Sequence, residues 1–238
     1  MKRRLDQTLV DRGLVKTRSQ AEDIIHRGFV KVGGQQISKA SFMVNGADMI
    51  KVQPHASFVS RAGEKLHSVI SPLDLDFKDK LVLDVGSSTG GFTDVCLRYG
   101  AKKVIAVDVG TDQMDTSLRQ NPKIELHEKT DIRSFRTDQK LDVVVADVSF
   151  ISLREILPYI TSIVSAGTEI IAMVKPQFEA ATSNLKHKGV IKNDKIRREI
   201  LRAFETWAQD LFVIEAKADS KVSGSKGNVE RFYKLKTL

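Results

Sequence analysis

A glycine-rich turn between a predicted strand and a predicted helix is the segment whose residue types point most directly to chemistry. Residues 84–92 read Asp-Val-Gly-Ser-Ser-Thr-Gly-Gly-Phe. Glycines at such a turn let the backbone approach a ligand, and the following helix offers free N–H groups at its start. The next predicted strand ends in Asp108, 22 residues after Gly86, where a carboxylate can accept hydrogen bonds from two ribose hydroxyls. An adenosine-type cofactor is therefore predicted, and NAD is the weaker choice because Ser88 replaces the second glycine of the dinucleotide fingerprint.

The elements that position this turn form an alternating pattern from residue 60 onward. Apolar strand candidates alternate with helical stretches, which predicts a parallel, doubly wound sheet. A last strand, Glu230–Leu235, follows a turn at residues 222–228 without an intervening helix, so it should be antiparallel to the strand before it. The six earlier strands are predicted at Leu81–Val85, Lys103–Asp108, Ile124–His127, Asp142–Ala146, Glu169–Lys175 and Leu211–Ala216.

The start of the chain predicts a different, small α+β unit. Apolar residues at helical spacing indicate a first helix that ends at Gly13, and overlapping capping-box patterns at Thr17 and Ser19 begin a second helix. A hairpin follows, with strand candidates at residues 29–32 and 48–52. This unit therefore contains two helices followed by a small sheet.

The formal net charge of +8 is concentrated in this first unit, which holds ten Lys and Arg against five Asp and Glu within residues 1–58. A compact basic unit suits a polyanion such as nucleic acid, or an anionic membrane surface, and composition does not choose between them. Residues 53–57 contain a proline and no hydrophobic period, which indicates a linker. We therefore expect domains at residues 1–58 and 59–238.

The composition also excludes several classes of protein. With 41% hydrophobic and 29% charged residues, the chain is typical of a globular protein. Its longest stretch without a charged side chain, residues 156–168, is shorter than the roughly 20 apolar residues of a membrane span. The N-terminus lacks the apolar core of a signal peptide, so we expect a cytoplasmic protein. A single cysteine, Cys96, and five histidines without ligand spacing lead us to expect no disulfide and no metal site.

Several motifs, in order along nearly the whole chain, resemble one family. Asp84-x-Gly86-x-x-x-Gly90-Gly91-Phe92-Thr93 resembles the S-adenosylmethionine loop of the FtsJ-like ribose methyltransferases, and more closely that of the TlyA-type RNA methyltransferases. The N-terminal segments Arg4-Leu5-Asp6, Thr17-Arg18-Ser19-x-Ala21 and Gly28-x-Val30-x-Val32 are similar to the RNA-binding module first described in ribosomal protein S4. Further motifs similar to the family lie at residues 60–66, 146–150, 174–179 and 227–230.

The resemblance implies a fold and a cofactor. The fold is α/β, a Rossmann-like methyltransferase fold with a mostly parallel seven-stranded sheet whose last strand is antiparallel, preceded by a small α+β RNA-binding domain. The cofactor is S-adenosylmethionine. Asp131, after the third strand, is placed to meet the adenine amino group or to cap a helix. The other residues expected to bind the cofactor are Asp84, Gly86, Ser87, Ser88, Thr89, Gly90, Gly91, Phe92 and Asp108.

The resemblance further implies a catalytic tetrad of Lys65, Asp147, Lys175 and Glu230. Asp147 and Lys175 lie at the carboxyl ends of predicted parallel strands, where ligand crevices of open α/β sheets form. A ribose 2′-hydroxyl is a poor nucleophile, so its proton must be removed or held while its oxygen is aimed in line. Lysine with an ordinary pKa of about 10.4 is a poor base, but burial and a second ammonium lower that value. We expect Lys175 to activate the hydroxyl, Lys65 to be its positive neighbour, and the carboxylates to orient both.

The implied function is S-adenosylmethionine-dependent 2′-O-methylation of ribosomal RNA at cytidine riboses, with ribosomal RNA or ribosomal subunits as partners. Two other interpretations stay open. One is a membrane-active haemolysin, a label that such proteins carry, although no span, basic amphipathic helix or export signal favours it. The other is an RNA-binding protein with a catalytically inactive methyltransferase domain. The RNA-binding residues are expected on one face of the first unit, at Arg4, Arg12, Lys16, Arg18 and Arg27.

Overall fold

A computed structural model describes residues 2–15, 17–26, 28–53, 58–180, 189–191, 193–224 and 227–238. It divides the chain into two compact units, Met1–Ser57 and Phe58–Leu238. Each unit has an apolar core of its own, so each is described by itself.

The first unit packs two helices on short antiparallel strands. Its elements are β1 (Arg3–Arg4), α1 (Leu5–Asp11), α2 (Arg18–His26), β2 (Val30–Val32), β3 (Gln35–Gln36), β4 (Met43–Val44) and β5 (Ile50–Val52). The amide of Gln20 donates to Thr17 Oγ1 at 3.2 Å, so Thr17 caps α2. β2 pairs with both β3 and β5, and β1 pairs with β4. The apolar residues at helical spacing, Leu5, Leu9, Ile24 and Ile25, are buried as expected.

The second unit is a seven-stranded sheet with helices between its strands. The strands are β6 (Leu81–Val85), β7 (Lys103–Val107), β8 (Ile124–His127), β9 (Val143–Ala146), β10 (Glu169–Val174), β11 (Phe212–Asp219) and β12 (Arg231–Thr237). The helices are α3 (Arg61–Val69), α4 (Gly91–Arg98), α5 (Thr116–Arg119), α6 (Leu157–Thr161), α7 (Pro176–Glu179) and α8 (Asp194–Ala208), with a short 3-10 helix at Leu153–Glu155.

The strand order is β11-β12-β10-β9-β6-β7-β8. The five strands from β6 to β10 pair in parallel, whereas β12 is antiparallel to both β10 and β11. The predicted mixed sheet with an antiparallel last strand is therefore confirmed. The predicted antiparallel pairing of the last two strands is confirmed as well.

The central strands are apolar on both faces, which is why they read as continuous hydrophobic runs. Leu83 and Val85 of β6 belong to one core cluster, and Val82 belongs to the cluster on the opposite face, with Val95 and Cys96 of α4. Burying a side chain of this size contributes roughly 1.5–3 kcal/mol. These cores hold the parallel strands in register, so their carboxyl ends lie along one edge of the sheet.

Candidate active site

Strand register places the glycine turn between two carboxylates. Val85 pairs with Val107 on one side and with Ala146 on the other, and one residue further along these strands stand Gly86, Asp108 and Asp147. Ligands of open α/β sheets bind outside this edge. The two acids predicted for different tasks therefore flank the same turn.

The turn has a backbone that only glycine adopts readily at two positions. Gly86 and Gly90 have φ values of +81° and +88°. A Cβ added at Gly86 would lie 2.6 Å from the carbonyl oxygen of Asp147. The turn is therefore packed tightly against the end of β9, and α4 begins directly after it, at Gly91.

A crevice opens over this turn, lined by Ala62, Gly86, Ser87, Ser88, Thr89, Phe92, Asp147 and Ser149. Ser87 is only 5% exposed, and its Oγ is buried without a hydrogen-bond partner among the described residues. Buried polar groups in proteins are nearly always bonded. The unsatisfied hydroxyl therefore fits a polar ligand in this crevice.

Asp108 already holds the turn in shape. Its Oδ2 accepts from the amide of Ser88 at 2.8 Å, and its Oδ1 accepts from the amide of Gly110 at 2.7 Å. An ionised carboxylate offers about four acceptor positions, so about two remain. That remaining capacity matches the two hydroxyls of a ribose, as the sequence predicts.

Asp84 is turned toward the inside of the unit. It is fully buried, and its Oδ2 accepts from the hydroxyl of Thr93 at 2.6 Å. Burial raises the pKa of Asp84 to about 7, and the nearby charges of Asp147 and Asp108 add to this. The structure thus shows Asp84 tying α4 to β6; the contact with a cofactor stays a prediction.

Asp131 caps a turn and does not cap a helix, so the helix N-cap that the sequence left open is not formed. Its Oδ1 accepts from the amide of Arg133 at 2.9 Å, and the Arg133 guanidinium donates to both carboxylate oxygens. The Arg133 guanidinium holds the pKa of Asp131 below its ordinary value. The cap closes a turn at residues 131–135, and no helix follows it directly. The amide of Thr130 donates to the Asp108 carbonyl, which keeps Asp131 near the site, but adenine contact stays a prediction.

The predicted tetrad forms two ion pairs at this edge. Lys175 Nζ lies 2.5 Å from Asp147 Oδ1 and donates to Ser149 Oγ at 2.7 Å. Lys65 Nζ lies 3.0 Å from Glu230 Oε1. The register Val174 to Arg231, continued by one residue, places Lys175 opposite Glu230. The structure therefore brings all four residues to one end of the sheet; their catalytic roles stay a prediction.

The Lys65–Glu230 pair is nearly out of solvent, with side-chain exposures of 11% and 3%. Removing one partner of a buried pair leaves an uncompensated charge, which typically costs about 3–5 kcal/mol. Gly224 packs against this pair, because a Cβ there would lie 2.6 Å from Glu230 Oε1. The turn before β12 is thus shaped to leave room for the carboxylate.

Sequence reasoning missed two residues beside Lys175. Ser149 receives the lysine hydrogen bond described above, and Phe150 is 93% exposed with a left-handed φ of +66°. The Phe150 ring lies 5.4 Å from the ring of Phe178. Both missed residues lie within a motif that carries the family resemblance, but residue type alone does not show which side chains face the site.

The arginines expected to bind RNA have partners within the first unit. Arg4 Nη2 and Arg18 Nε converge on the buried Oδ2 of Asp6, at 2.8 and 2.9 Å. Arg12 instead donates to the carbonyls of Gly46 and Asp48. Arg4 and Arg18 therefore lie together, whereas Arg12 ties down a turn. RNA contact by all three stays a prediction, and Lys16 and Arg27 lie outside the described residues.

Among the residues that the structure describes, no group of three or more His, Cys, Asp and Glu residues could hold a metal ion. In the same residues, no helix is both long and apolar enough to cross a bilayer.

The sheet order, the antiparallel last strand and the glycine turn define the second unit as a methyltransferase fold. The family model of the FtsJ-like methyltransferases matches residues 58–237 of the sequence, and the family model of the S4 domain matches residues 3–50. The chain therefore belongs to the FtsJ-like methyltransferase family. This confirms the resemblance seen in the sequence motifs.

Curated relatives match most of the chain. A Mycobacterium tuberculosis protein named 16S/23S rRNA (cytidine-2′-O)-methyltransferase TlyA is 36% identical over 241 residues, or 98% of this chain and 90% of the relative. A Brachyspira hyodysenteriae protein named Hemolysin A is 35% identical, over 95% of this chain and 97% of the relative. A solved hemolysin structure from Streptococcus thermophilus has a TM-score of 0.76 at 34% identity, covering 99% of this chain and 88% of its own.

Proposed function

We propose that this chain methylates the ribose 2′-hydroxyl of ribosomal RNA with S-adenosylmethionine as the methyl donor. The observation that carries the proposal is the pairing of Lys175 with Asp147, opposite Glu230, at the sheet edge that also carries the glycine turn. Relatives named rRNA (cytidine-2′-O)-methyltransferases support a cytidine ribose as the acceptor. An rRNA substrate implies a cytoplasmic location.

The residues around the glycine turn fit the cofactor. The free acceptor positions of Asp108 would bind the ribose hydroxyls, and the unsatisfied hydroxyl of Ser87 would gain a partner. The close approach allowed at Gly86 and Gly90 would bring backbone against the ligand. When bound, the cofactor supplies an activated methyl group on a sulfonium.

Lys175 acts on the acceptor. After releasing one proton to solvent, the neutral amine of Lys175 would accept the proton of the ribose 2′-hydroxyl at Nζ, while the ribose oxygen takes the activated methyl group that the cofactor would supply. Asp147 and Ser149 hold Nζ on one side through the contacts at 2.5 and 2.7 Å. Lys65 of α3 pairs with Glu230, the residue opposite Lys175 in the strand register, and this pair contributes charge and rigidity. In-line positioning and proton removal are the two requirements of this reaction.

Two further features support an RNA acceptor. The exposed ring of Phe150 contacts the ring of Phe178, three residues after Lys175, and offers an apolar face on which an unstacked base can stack. The basic first unit, which matches the S4 domain, would hold RNA through phosphate contacts that orient it without reading sequence. We assign RNA binding to residues 1–58 and methyl transfer to residues 59–238.

The test is methyl transfer by the purified full-length chain to ribosomal RNA from cells that lack its gene, with mapping of 2′-O-methyl groups. Lys175→Ala should lower the single-turnover rate by about 10²- to 10⁴-fold, the usual contribution of general base catalysis. Its affinity for S-adenosylmethionine should stay within about twofold, because Asp108 and the glycine turn are unchanged. Lys217→Ala is the matched control, since Lys217 is half exposed and pairs with Glu205 away from this edge.

Methylation on a base instead of a ribose would contradict the proposal. So would a wild-type rate in the Lys175→Ala variant. Cofactor-independent leakage of lipid vesicles, without any methylation, would favour the haemolysin interpretation. If the wild-type chain binds RNA but does not methylate it, the interpretation as an RNA-binding protein with an inactive methyltransferase domain would be favoured.

A further inference from the structure

Glu179 is a buried carboxylate that the proposed chemistry does not use. Only 1% of the residue is exposed. Its Oε2 accepts from the hydroxyl of Ser152 at 2.7 Å, and its Oε1 accepts from the amide of Leu153 at 2.8 Å. Arg154 Nε lies 3.5 Å from Oε2. These three partners follow one another in the segment after β9, whereas Glu179 ends α7 after β10.

Glu179 joins the same two segments that carry the Lys175–Asp147 pair. Lys175 directly precedes α7, and its carbonyl accepts from the amide of Glu179 at 3.3 Å, so the two residues lie one helical turn apart. On the other segment, Ser152 follows Asp147 by five residues. The two segments are therefore tied at two points, one at the catalytic pair and one at Glu179.

The backbone between these two points is strained at Phe150, because a φ of +66° is rarely adopted by residues other than glycine. Such a conformation persists only where the surroundings hold it in place. The register of β9 holds Asp147 on one side. The bonds to Glu179 hold Ser152 and Leu153 on the other, so they keep the intervening residues, including Ser149, in position.

A carboxylate is a costly way to fill this space. Burial raises the pKa of Glu179, because desolvation disfavours the ionised form. An apolar side chain of similar volume would pack there without that penalty. What a carboxylate adds is direction, since each of its oxygens fixes one donor of the neighbouring segment.

We propose that Glu179 is a positioning residue for methyl transfer, which sets the place of Asp147 and Ser149 relative to Lys175 by anchoring Ser152 and Leu153 to α7. This positioning role requires no contact between Glu179 and either the RNA or the cofactor. The inference rests on the proposed role of Lys175, whose partners Glu179 keeps in place.

Two variants of the full chain test the inference. Glu179→Gln preserves the volume but accepts at one oxygen only, so one of the two donors loses its partner. Glu179→Ala loses both. A misplacement of about 1 Å near reacting atoms can lower a rate by about 10²-fold, so we expect kcat to fall on the order of 10-fold for Gln and up to 10²-fold for Ala. The KM for rRNA and the Kd for S-adenosylmethionine should stay within about twofold.

The readout separates positioning from stability. Calorimetric titration with S-adenosylmethionine counts the binding-competent molecules, and kcat is expressed per competent molecule. A merely structural role would lower Tm and the competent fraction but leave that kcat unchanged, which would overturn the inference. Glu155→Gln is the control, because Glu155 is an exposed acid of the adjacent 3-10 helix, and it should keep the wild-type kcat.

A milder variant covers the case in which both Glu179 variants fail to fold. Ser152→Ala removes the hydroxyl bond at 2.7 Å but leaves the carboxylate in place. Its kcat should fall several-fold, and an unchanged kcat would overturn the inference. The proposed function fails separately, if the wild-type chain does not methylate ribose at all. An active wild type, an inactive Lys175→Ala and a normal kcat for Glu179→Gln would overturn the positioning role alone.

Discussion

Replacing Asp108 by asparagine should weaken the binding of S-adenosylmethionine, and the structure indicates by how much. Ser88 and Gly110 each occupy one acceptor position, on different carboxylate oxygens, at 2.8 and 2.7 Å. About two of the four positions of the carboxylate remain for ribose hydroxyls. The substitution keeps the size of the side chain but removes its charge and half of its acceptor atoms.

The expected loss of affinity follows from the free energy that such hydrogen bonds contribute. A hydrogen bond to a charged group contributes about 1.5–3 kcal/mol, and about 1.4 kcal/mol corresponds to a tenfold change in Kd. One such bond lost therefore raises Kd by about 10- to 100-fold. Asparagine also presents its NH₂ group to one of the two amide donors, so the turn at Ser88 or Gly110 loosens as well. We expect at least a tenfold rise for Asp108→Asn and a larger one for Asp108→Ala.

Isothermal titration calorimetry with S-adenosylmethionine measures this change, with thermal unfolding to show that the variants are folded. Asp112→Asn is the matched control, because Asp112 lies in the same loop as Asp108, is 85% exposed and pairs with Arg119 at the end of α5. A Kd for Asp108→Asn within twofold of wild type would refute the assignment of the ribose to Asp108. An equal loss in the control would attribute the effect to the loop as a whole.

Three further predictions concern other parts of the molecule. Gly224→Ala should push Glu230 away from Lys65, because a Cβ at residue 224 would lie 2.6 Å from Glu230 Oε1. We expect kcat in a steady-state assay to fall about tenfold. Gly46→Ala is the control and should keep the wild-type kcat, because no atom lies within 4 Å of a Cβ at residue 46. Arg4 and Arg18 hold the pKa of Asp6 well below its ordinary range, so its ion pairs stabilise the fold fully above pH about 4 and less as the pH falls toward the folded pKa. Asp6→Asn should therefore be less stable than wild type by roughly 1–2 kcal/mol at pH 7 in urea unfolding, and a gap that does not narrow at pH 3 would contradict this. Arg18→Gln should reduce the slope of log Kd against log salt for rRNA by about one, whereas Arg98→Gln, at the end of α4 remote from the site, should leave it unchanged.

Strands β6, β7, β9 and β10 of the second unit could be predicted because each is mostly a run of buried apolar residues with sharp boundaries. β9 is the clearest case, four apolar residues between Asp142 and Asp147. In the first unit, β1, β3 and β4 were not predicted, because strands of two residues are too short to show a period. Their pairing is decided by tertiary contacts instead of local pattern.

The residue types of the candidate site could also be predicted, but their partners could not. Lys65 and Glu230 are 165 residues apart, and their pairing depends on where α3 lies relative to the start of β12. Asp84 is predicted to bind the cofactor, and its hydrogen bond with Thr93, inside the unit, is a partner that the sequence pattern does not show. Arg12 carries the expected charge, but its guanidinium is committed to two carbonyls of a nearby turn. Charge and motif position identify candidates, whereas side-chain direction is set by packing.

The place of β12 in the sheet has a consequence for how the protein folds. β12 lies between β10 and β11 although it follows both in the sequence. Until it inserts, both of those strands expose unpaired edges that invite aggregation, and non-local pairing of this kind is slow. Glu230 directly precedes β12, so Lys65 lacks its carboxylate until the same event. The time course of recovered methyl transfer during refolding should therefore follow the insertion of β12, later than the formation of the parallel half of the sheet.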